Sequence, residues 1–246
     1  MIIVSSCDKY TATNLYTFVS SLNNSGYNGK KVMVVYECNN STKEYLTSNG
    51  WIIYQKDLDN LQVVTKRFKD ISDVLSDYDA TEQVLSVDCR DVYFHKNPEL
   101  YGSSDLYIGI DGDYPLIDNE WATKEMLEMY PSQYNKIKSN HHLCAGVVLG
   151  KNENITSLFK DTFDYTFESK IYDKFNTGRK STVDQMALNI LAYGKYKYQV
   201  TKGDYVINLS CTAWDTKKEY FIYHQYDRVD NFWSKVNSNI QKIYYE

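Results

Sequence analysis

Residues 84–98 read VLSVDCRDVYFHKNP. The apolar run from Gln83 to Val87 has the length and β-branched content of a buried strand, and the chain leaves it on Asp88. Upstream, the same kind of strand recurs between helical patterns. Ile2 to Val4 is a short strand ending in Ser5-Ser6. Leu15, Phe18, Val19 and Leu22 repeat at i, i+3, i+4 and i+7 on a helix capped by Thr11 or Thr13 and stopped by Gly26. Lys31 to Tyr36 and Trp51 to Tyr54 read as strands, Thr42 to Asn49 and Thr65 to Leu75 as the helices that alternate with them. Strand-helix alternation of this kind predicts an α/β domain with a mainly parallel central sheet flanked by helices. Ligands of such sheets lie beyond the carboxyl ends of the strands, which is where Ser5, Ser6 and Asp88 fall.

Downstream of Pro98 the pattern predicts strands at Leu106 to Ile110, Leu143 to Leu149 and Glu219 to His224. It predicts helices at Glu120 to Met129, Glu153 to Lys170 and Thr182 to Ala192. With 246 residues and no repeat or Pro/Gly/Ser linker, a single domain is expected. A net charge of −5 offers no basic field for a nucleic-acid backbone, so no nucleic-acid partner is expected. The five cysteines, Cys7, Cys38, Cys89, Cys144 and Cys211, form no C-x-x-C pair, which fits a reducing, cytoplasmic setting rather than a disulfide framework. The apolar start, Met1 to Val4, is too short for a signal-peptide core, and no apolar run could span a bilayer. Most of the 24 tyrosines are expected in half-buried structural positions, with a minority left to stack on a base or sugar.

The chain has no G-x-G-x-x-G, no G-x-x-x-x-G-K-S/T and no G-x-S-x-G, so a dinucleotide site, a P-loop and a hydrolase elbow all lack their glycines. A nucleotide would need a carboxylate-held cation instead, and Mg²⁺ or Mn²⁺ suits one or two carboxylates plus diphosphate oxygens. Two pairs compete for it. Asp88 and Asp91 are spaced D-x-x-D, whereas Asp111 and Asp113 form a literal D-x-D; Asp57/Asp59 and Asp77/Asp79 repeat that spacing, so spacing alone leaves the choice open. His141 and His142 invite a metal reading too, but neighbours on an extended segment point apart, and both are expected to face solvent.

Six segments in order resemble a family of GT-A-type glycosyltransferases that includes large-virus rhamnosyltransferase-like domains. Residues 84–98 are similar to its D-x-R-D-V-x-F-Q-x-N/D-P. FVSSLNNSGYNGK at 18–30 resembles R-F-x-x-S-L-x-x-S-G-Y-x-G, and Lys66-Arg67-Phe68 resembles R-R-F before a helix. AGVVLG at 145–150, DQMALN at 184–189 and HQYDR at 224–228 are similar to N-A-G-x-x-x-G, D-Q-x-x-L-N and H-Q-Y-D-R. Together they span roughly residues 2 to 230. The chain departs from the pattern at Cys144, where the family has Asn, at His95, where it has Gln, and before Phe18, where an arginine is missing.

The resemblance implies a single GT-A domain over 1–246, with a nucleotide-binding half at 1–95 and an acceptor-side half at 96–246. It implies a metal-dependent transfer of a hexosyl or deoxyhexosyl group from a nucleoside diphosphate sugar, expected to be UDP-linked, to a hydroxyl of a glycan or other acceptor. Asp88, Asp91 and the late His224 would hold Mn²⁺ or Mg²⁺, with Asp88 also meeting the ribose. Ser5, Ser6 and Cys7 would touch the base through their backbone, Arg67 and Arg228 the phosphates or base, Ala145 and Gly146 the donor, while Asp184 and Gln185 would be the catalytic pair on the acceptor side. An inverting reaction would use a carboxylate to take the acceptor proton, a retaining one a polar group on the donor's other face. Two further readings stay open at this point: a sugar-nucleotide pyrophosphorylase, which would bring a basic glycine-rich loop after the first strand, and a non-catalytic carbohydrate-binding module.

Overall fold

The structure, a computed structural model, describes residues 1–168, 183–197, 200–201, 205–210 and 218–235. Cys211 and the Ser181-Thr182 helix start lie outside the described residues. The first half alternates as the periodicity predicts: β1 (Ile2–Cys7), α1 (Ala12–Asn24), β2 (Lys30–Val35), α2 (Asn40–Ser48), β3 (Trp51–Gln55), α3 (Val63–Leu75) and β4 (Gln83–Val87). Then come β5 (Val92–Phe94), β6 (Leu106–Pro115), α4 (Glu120–Met129), α5 (Pro131–Ile137), β7 (His141–Lys151), α6 (Asn152–Glu168), α7 (Val183–Tyr193), β8 (Val200–Thr201), β9 (Val206–Asn208), β10 (Ile222–His224) and α8 (Phe232–Lys235).

Seven strands form the main sheet in the order β3-β2-β1-β4-β7-β6-β8. All pairings are parallel except those of β7, which runs antiparallel to both β4 and β6. Alternation along β1 sorts the two cores: Ile3 faces Leu15, Phe18 and Leu22 of α1, while Ile2 and Val4 face Phe68, Ile71 and Leu75 of α3 and Leu158 and Phe159 of α6. The helix starts follow from local chemistry. Thr11, rather than Thr13, caps α1 in a reciprocal capping box with Asn14, and Gly26 leaves the helix in the left-handed region at φ +80°.

Three expectations change. First, β1 does not end at Ser5-Ser6 but runs through both to Cys7. Second, β6 is ten residues long with register shifts, so Asp111 and Asp113 lie inside a strand and not after it. Third, His141 and His142 open β7, and His142 is fully buried. Its neighbour His141 stays half-buried, so the two side chains do point apart, but the face that His142 takes is covered, which the rule of alternating faces does not foresee.

Of a second, three-stranded sheet, β5-β10-β9, the pattern foresaw only β10, inside the expected strand Glu219 to His224. In it β10 pairs antiparallel with β5 and parallel with β9, placing His224 opposite both Val92 and Asn208. This small sheet carries a residue from late in the chain to the carboxyl end of β4. No helix among the described residues is long and apolar enough to cross a membrane.

Candidate active site

Asp88 follows β4 directly, and its N–H donates to the Gly146 carbonyl at 2.8 Å, tying the strand exit to β7. Three residues on, the Asp91 carbonyl accepts the Gln225 N–H at 2.6 Å. Gln225 adopts a left-handed conformation, φ +60°, which turns the chain sharply after His224 and closes this contact. The result brings Asp88, Asp91 and His224 to one point, each offering a ligand atom within 4.8 Å of the others. His224 Nε2 stands 3.5 Å from Asp88 Oδ2 and 3.6 Å from Asp91 Oδ1.

His224 is buried, and its Nε2 has no hydrogen-bond partner. A buried polar atom without a partner costs about 1–3 kcal/mol, and the two carboxylates gathered beside it repel one another. A divalent cation among two carboxylate oxygens and one imidazole nitrogen removes both costs, and that donor set suits Mn²⁺ or Mg²⁺ completed by ligand oxygens and water. The residues therefore fit a metal. Burial drives the imidazole toward its neutral form, but Cys144 and the Asp88 and Asp91 carboxylates outweigh it and favour the cation. Burial likewise pushes Asp88 up, and Arg67 and His224 more than offset this, holding it well below the ordinary carboxylate range.

Around this point lie two adjoining clefts of about 440 and 390 Å³, sharing Val64, Arg67, Asp88 and Arg228. The smaller is lined by Ser6, Asp8, Tyr10, Arg90 and Asp91. The larger holds Asp111, Trp121, Gly146, Asp184, Gln185 and His224. Arg67, projecting from α3, hydrogen-bonds Asp88 and lies 3.8 Å from Asp184 Oδ2, so one guanidinium bridges the two clefts. Arg228 reaches Asp91 Oδ2 at 3.4 Å. Gly146 marks the tightest approach: a Cβ there would stand 2.7 Å from His224 Nε2 and 3.0 Å from Asp88 Oδ2.

Burial pushes the Asp184 carboxyl up to about 6, with Arg67 only partly opposing it. A carboxyl raised in the folded state holds its proton better there than in the unfolded chain. Its contribution to stability is fully present below the ordinary value of 3.8 and is lost as pH rises through about 6. Two units correspond to about 3 kcal/mol. Asp184→Asn is therefore expected to gain stability over the parent as pH rises from 4 to 8, read as a widening gap between the two melting temperatures. A gap independent of pH would contradict it.

Of the residues expected at the site, Ser6, Arg67, Asp88, Asp91, Gly146, Asp184, Gln185, His224 and Arg228 line one cleft or the other. Ser5 and Cys7 do not. The Ser5 hydroxyl donates to the Val87 carbonyl inside the core, and the Cys7 thiol lies 3.7 Å from that of Cys38. Ala145 packs into the core beside Leu143 and Phe159, since the residue next to inward-facing Gly146 points to the sheet's other face. Of the literal D-x-D, Asp111 lines the larger cleft and Asp113 is exposed.

Residue patterns missed two features. His142 Nδ1 lies 3.1 Å from Asp111 Oδ2 while its Nε2 lies 3.1 Å from the Gln185 amide nitrogen, so Asp111 is linked through His142 to Gln185. Trp121, 42% exposed, lines the larger cleft with its ring 5.7 Å from that of His142.

With this geometry the chain can be set beside known proteins. No protein-family model and no curated protein sequence matches it. Solved structures do. A galactosyltransferase, LgtC, in complex with donor and acceptor sugar analogs aligns at a TM-score of 0.57 and 15% identity, over 91% of this chain and 86% of that one. An active-site mutant of LgtC aligns at 0.59 and 14% over the same shares. The fold is the GT-A fold of these glycosyltransferases.

Proposed function

We propose that the chain is a metal-dependent glycosyltransferase that moves a hexosyl or deoxyhexosyl group from a nucleoside diphosphate sugar, UDP-linked, to a hydroxyl acceptor. The observation that carries this reading is the partnerless, buried Nε2 of His224 set against Asp88 and Asp91 where two clefts meet. LgtC, which shares the fold, was solved with donor and acceptor sugar analogs, and the sequence segments around Asp88, Asp184 and His224 resemble the rhamnosyltransferase-like family.

In this reading the first half, 1–95, supplies the nucleoside cleft, where Ser6 and Tyr10 meet base and ribose. The half at 96–246 supplies most of the acceptor cleft. Asp88, Asp91 and His224 would hold Mn²⁺ or Mg²⁺, which when bound would supply Lewis-acid stabilisation of diphosphate charge. Arg67 and Arg228 offer forked donors to the same phosphates, a geometry lysine would not reproduce. Asp184 and Gln185, at the start of α7, face the acceptor: the carboxylate takes up the hydroxyl's proton, and the amide orients the sugar. Cys144 stands where the family that the chain resembles has asparagine, so one amide contact to the donor would be missing.

The test is UDP release from a panel of UDP-hexoses and UDP-deoxyhexoses, with Mn²⁺ and with chelator. Slow donor hydrolysis without acceptor is expected from at least one donor, abolished by chelator and by Asp88→Asn. UTP formed on adding pyrophosphate would instead make the chain a pyrophosphorylase, and glycan binding with neither turnover nor nucleotide would make it a binding module.

A further inference from the structure

Asn208 ends β9, directly opposite His224 on the parallel strand β10, and both are buried. Residues paired in register on neighbouring strands point to the same face, so the two side chains meet. The Asn208 Nδ2 donates to the Ile110 carbonyl at 2.5 Å, and Oδ1 lies 2.5 Å from His224 Nδ1. These contacts fix both groups in turn. The end of the amide held by a carbonyl must be the donor, so the end facing the ring is the oxygen, which can only accept. Nδ1 must then carry a hydrogen. Nε2, on the opposite edge of the ring, faces Asp88 and Asp91.

Gly109 makes the arrangement possible. A Cβ at that position would stand 2.6 Å from Val206 Cγ1 and 3.3 Å from Asn208 Nδ2, so only glycine lets β6 approach β9 closely enough for Ile110 to anchor the amide. Cys144 Sγ is the other group near Nδ1, at 3.6 Å, but it already receives the Gly146 N–H and is a weak acceptor.

We infer that Asn208 is a positioning residue for the metal site: it holds His224 by Nδ1–H so that Nε2 is presented to the cation. This rests on the metal reading above and adds a residue to which neither spacing nor resemblance pointed. Outer partners of ligating histidines are typically worth about 10–100-fold in metal affinity.

The experiment titrates Mn²⁺ into the full chain without nucleotide, following free Mn²⁺ by electron paramagnetic resonance and nitrogen coordination by pulsed measurement of ¹⁴N coupling. Two variants separate positioning from structure. Asn208→Leu and Asn208→Asp both lose the donor to Ile110, but only the aspartate keeps an acceptor for Nδ1–H. The parent and Asn208→Asp are expected to bind within about threefold of one another with ¹⁴N coupling, and Asn208→Leu about 10–100-fold more weakly with that coupling lost. Parent-like binding by Asn208→Leu, or equal weakening of both variants, would overturn the role of Asn208 while leaving the metal site standing. A parent protein that binds no Mn²⁺ would overturn the metal reading itself, and this inference with it.

Discussion

Asp91→Asn is expected to weaken Mn²⁺-dependent UDP binding by about a hundredfold or more, close to 3 kcal/mol, while Asp113→Asn leaves it unchanged. The substitution keeps the shape of the side chain and removes its charge. Asp91 is buried, accepts from Arg228, and faces His224 Nε2, so its charge acts at short range with little solvent between. Asp113 is exposed on β6 and lines neither cleft. The pair of variants decides between the two acidic motifs, because the literal D-x-D would reverse the outcome. Calorimetric titration of UDP at fixed Mn²⁺ reads it directly. Loss of binding in Asp113→Asn with retention in Asp91→Asn would move the metal to β6.

Gly146→Ala is expected to weaken Mn²⁺ binding by crowding Asp88 and His224 without replacing either. Its backbone is outside the left-handed region, so the added methyl brings no backbone strain, only a collision. The methyl would meet the His224 ring edge and Asp88 Oδ2 at once. Neither can retreat easily: His224 is held by Asn208, and Asp88 by Arg67 and the Gly146 carbonyl. Overpacking of this kind typically costs about 1–3 kcal/mol. The expected result is a modest fall in melting temperature with a loss of Mn²⁺ affinity of at least about tenfold, equal to about 1.4 kcal/mol. A variant that binds Mn²⁺ as the parent does would show that His224 does not hold the cation in this position.

Which parts of this molecule could be read from residues alone follows from range. Helix and strand periodicities in the first ninety residues are local, and α1, β2, α3 and β4 form there within a residue or two of their expected bounds. The small sheet is different. Its strands are three residues each, so that only β10, within the expected strand Glu219 to His224, showed in the pattern, yet together they carry His224 to Asp88 and Asp91. Resemblance at 224–228 pointed to His224, but nothing pointed to Asn208, since an asparagine after Val-Ile reads as an ordinary turn residue. Its role exists only in the register of β9 against β10. His142 fails for a related reason: alternation says that neighbours point apart, not whether both faces are covered. The helix α5 was readable in principle, because Pro131 sits at its first turn, where its missing N–H costs nothing.

In the proposed function, a divalent cation held by Asp88, Asp91 and His224 lets this cleft take a nucleoside diphosphate in the absence of a glycine phosphate loop. Thermal denaturation with UDP at about a hundred times its dissociation constant, once with Mn²⁺ and once with chelator, reads this dependence. Saturation at that level should stabilise the fold by about 2.7 kcal/mol when Mn²⁺ is present. With chelator the shift should vanish. An equal shift in both conditions would show that UDP binds without the metal, and would contradict the account.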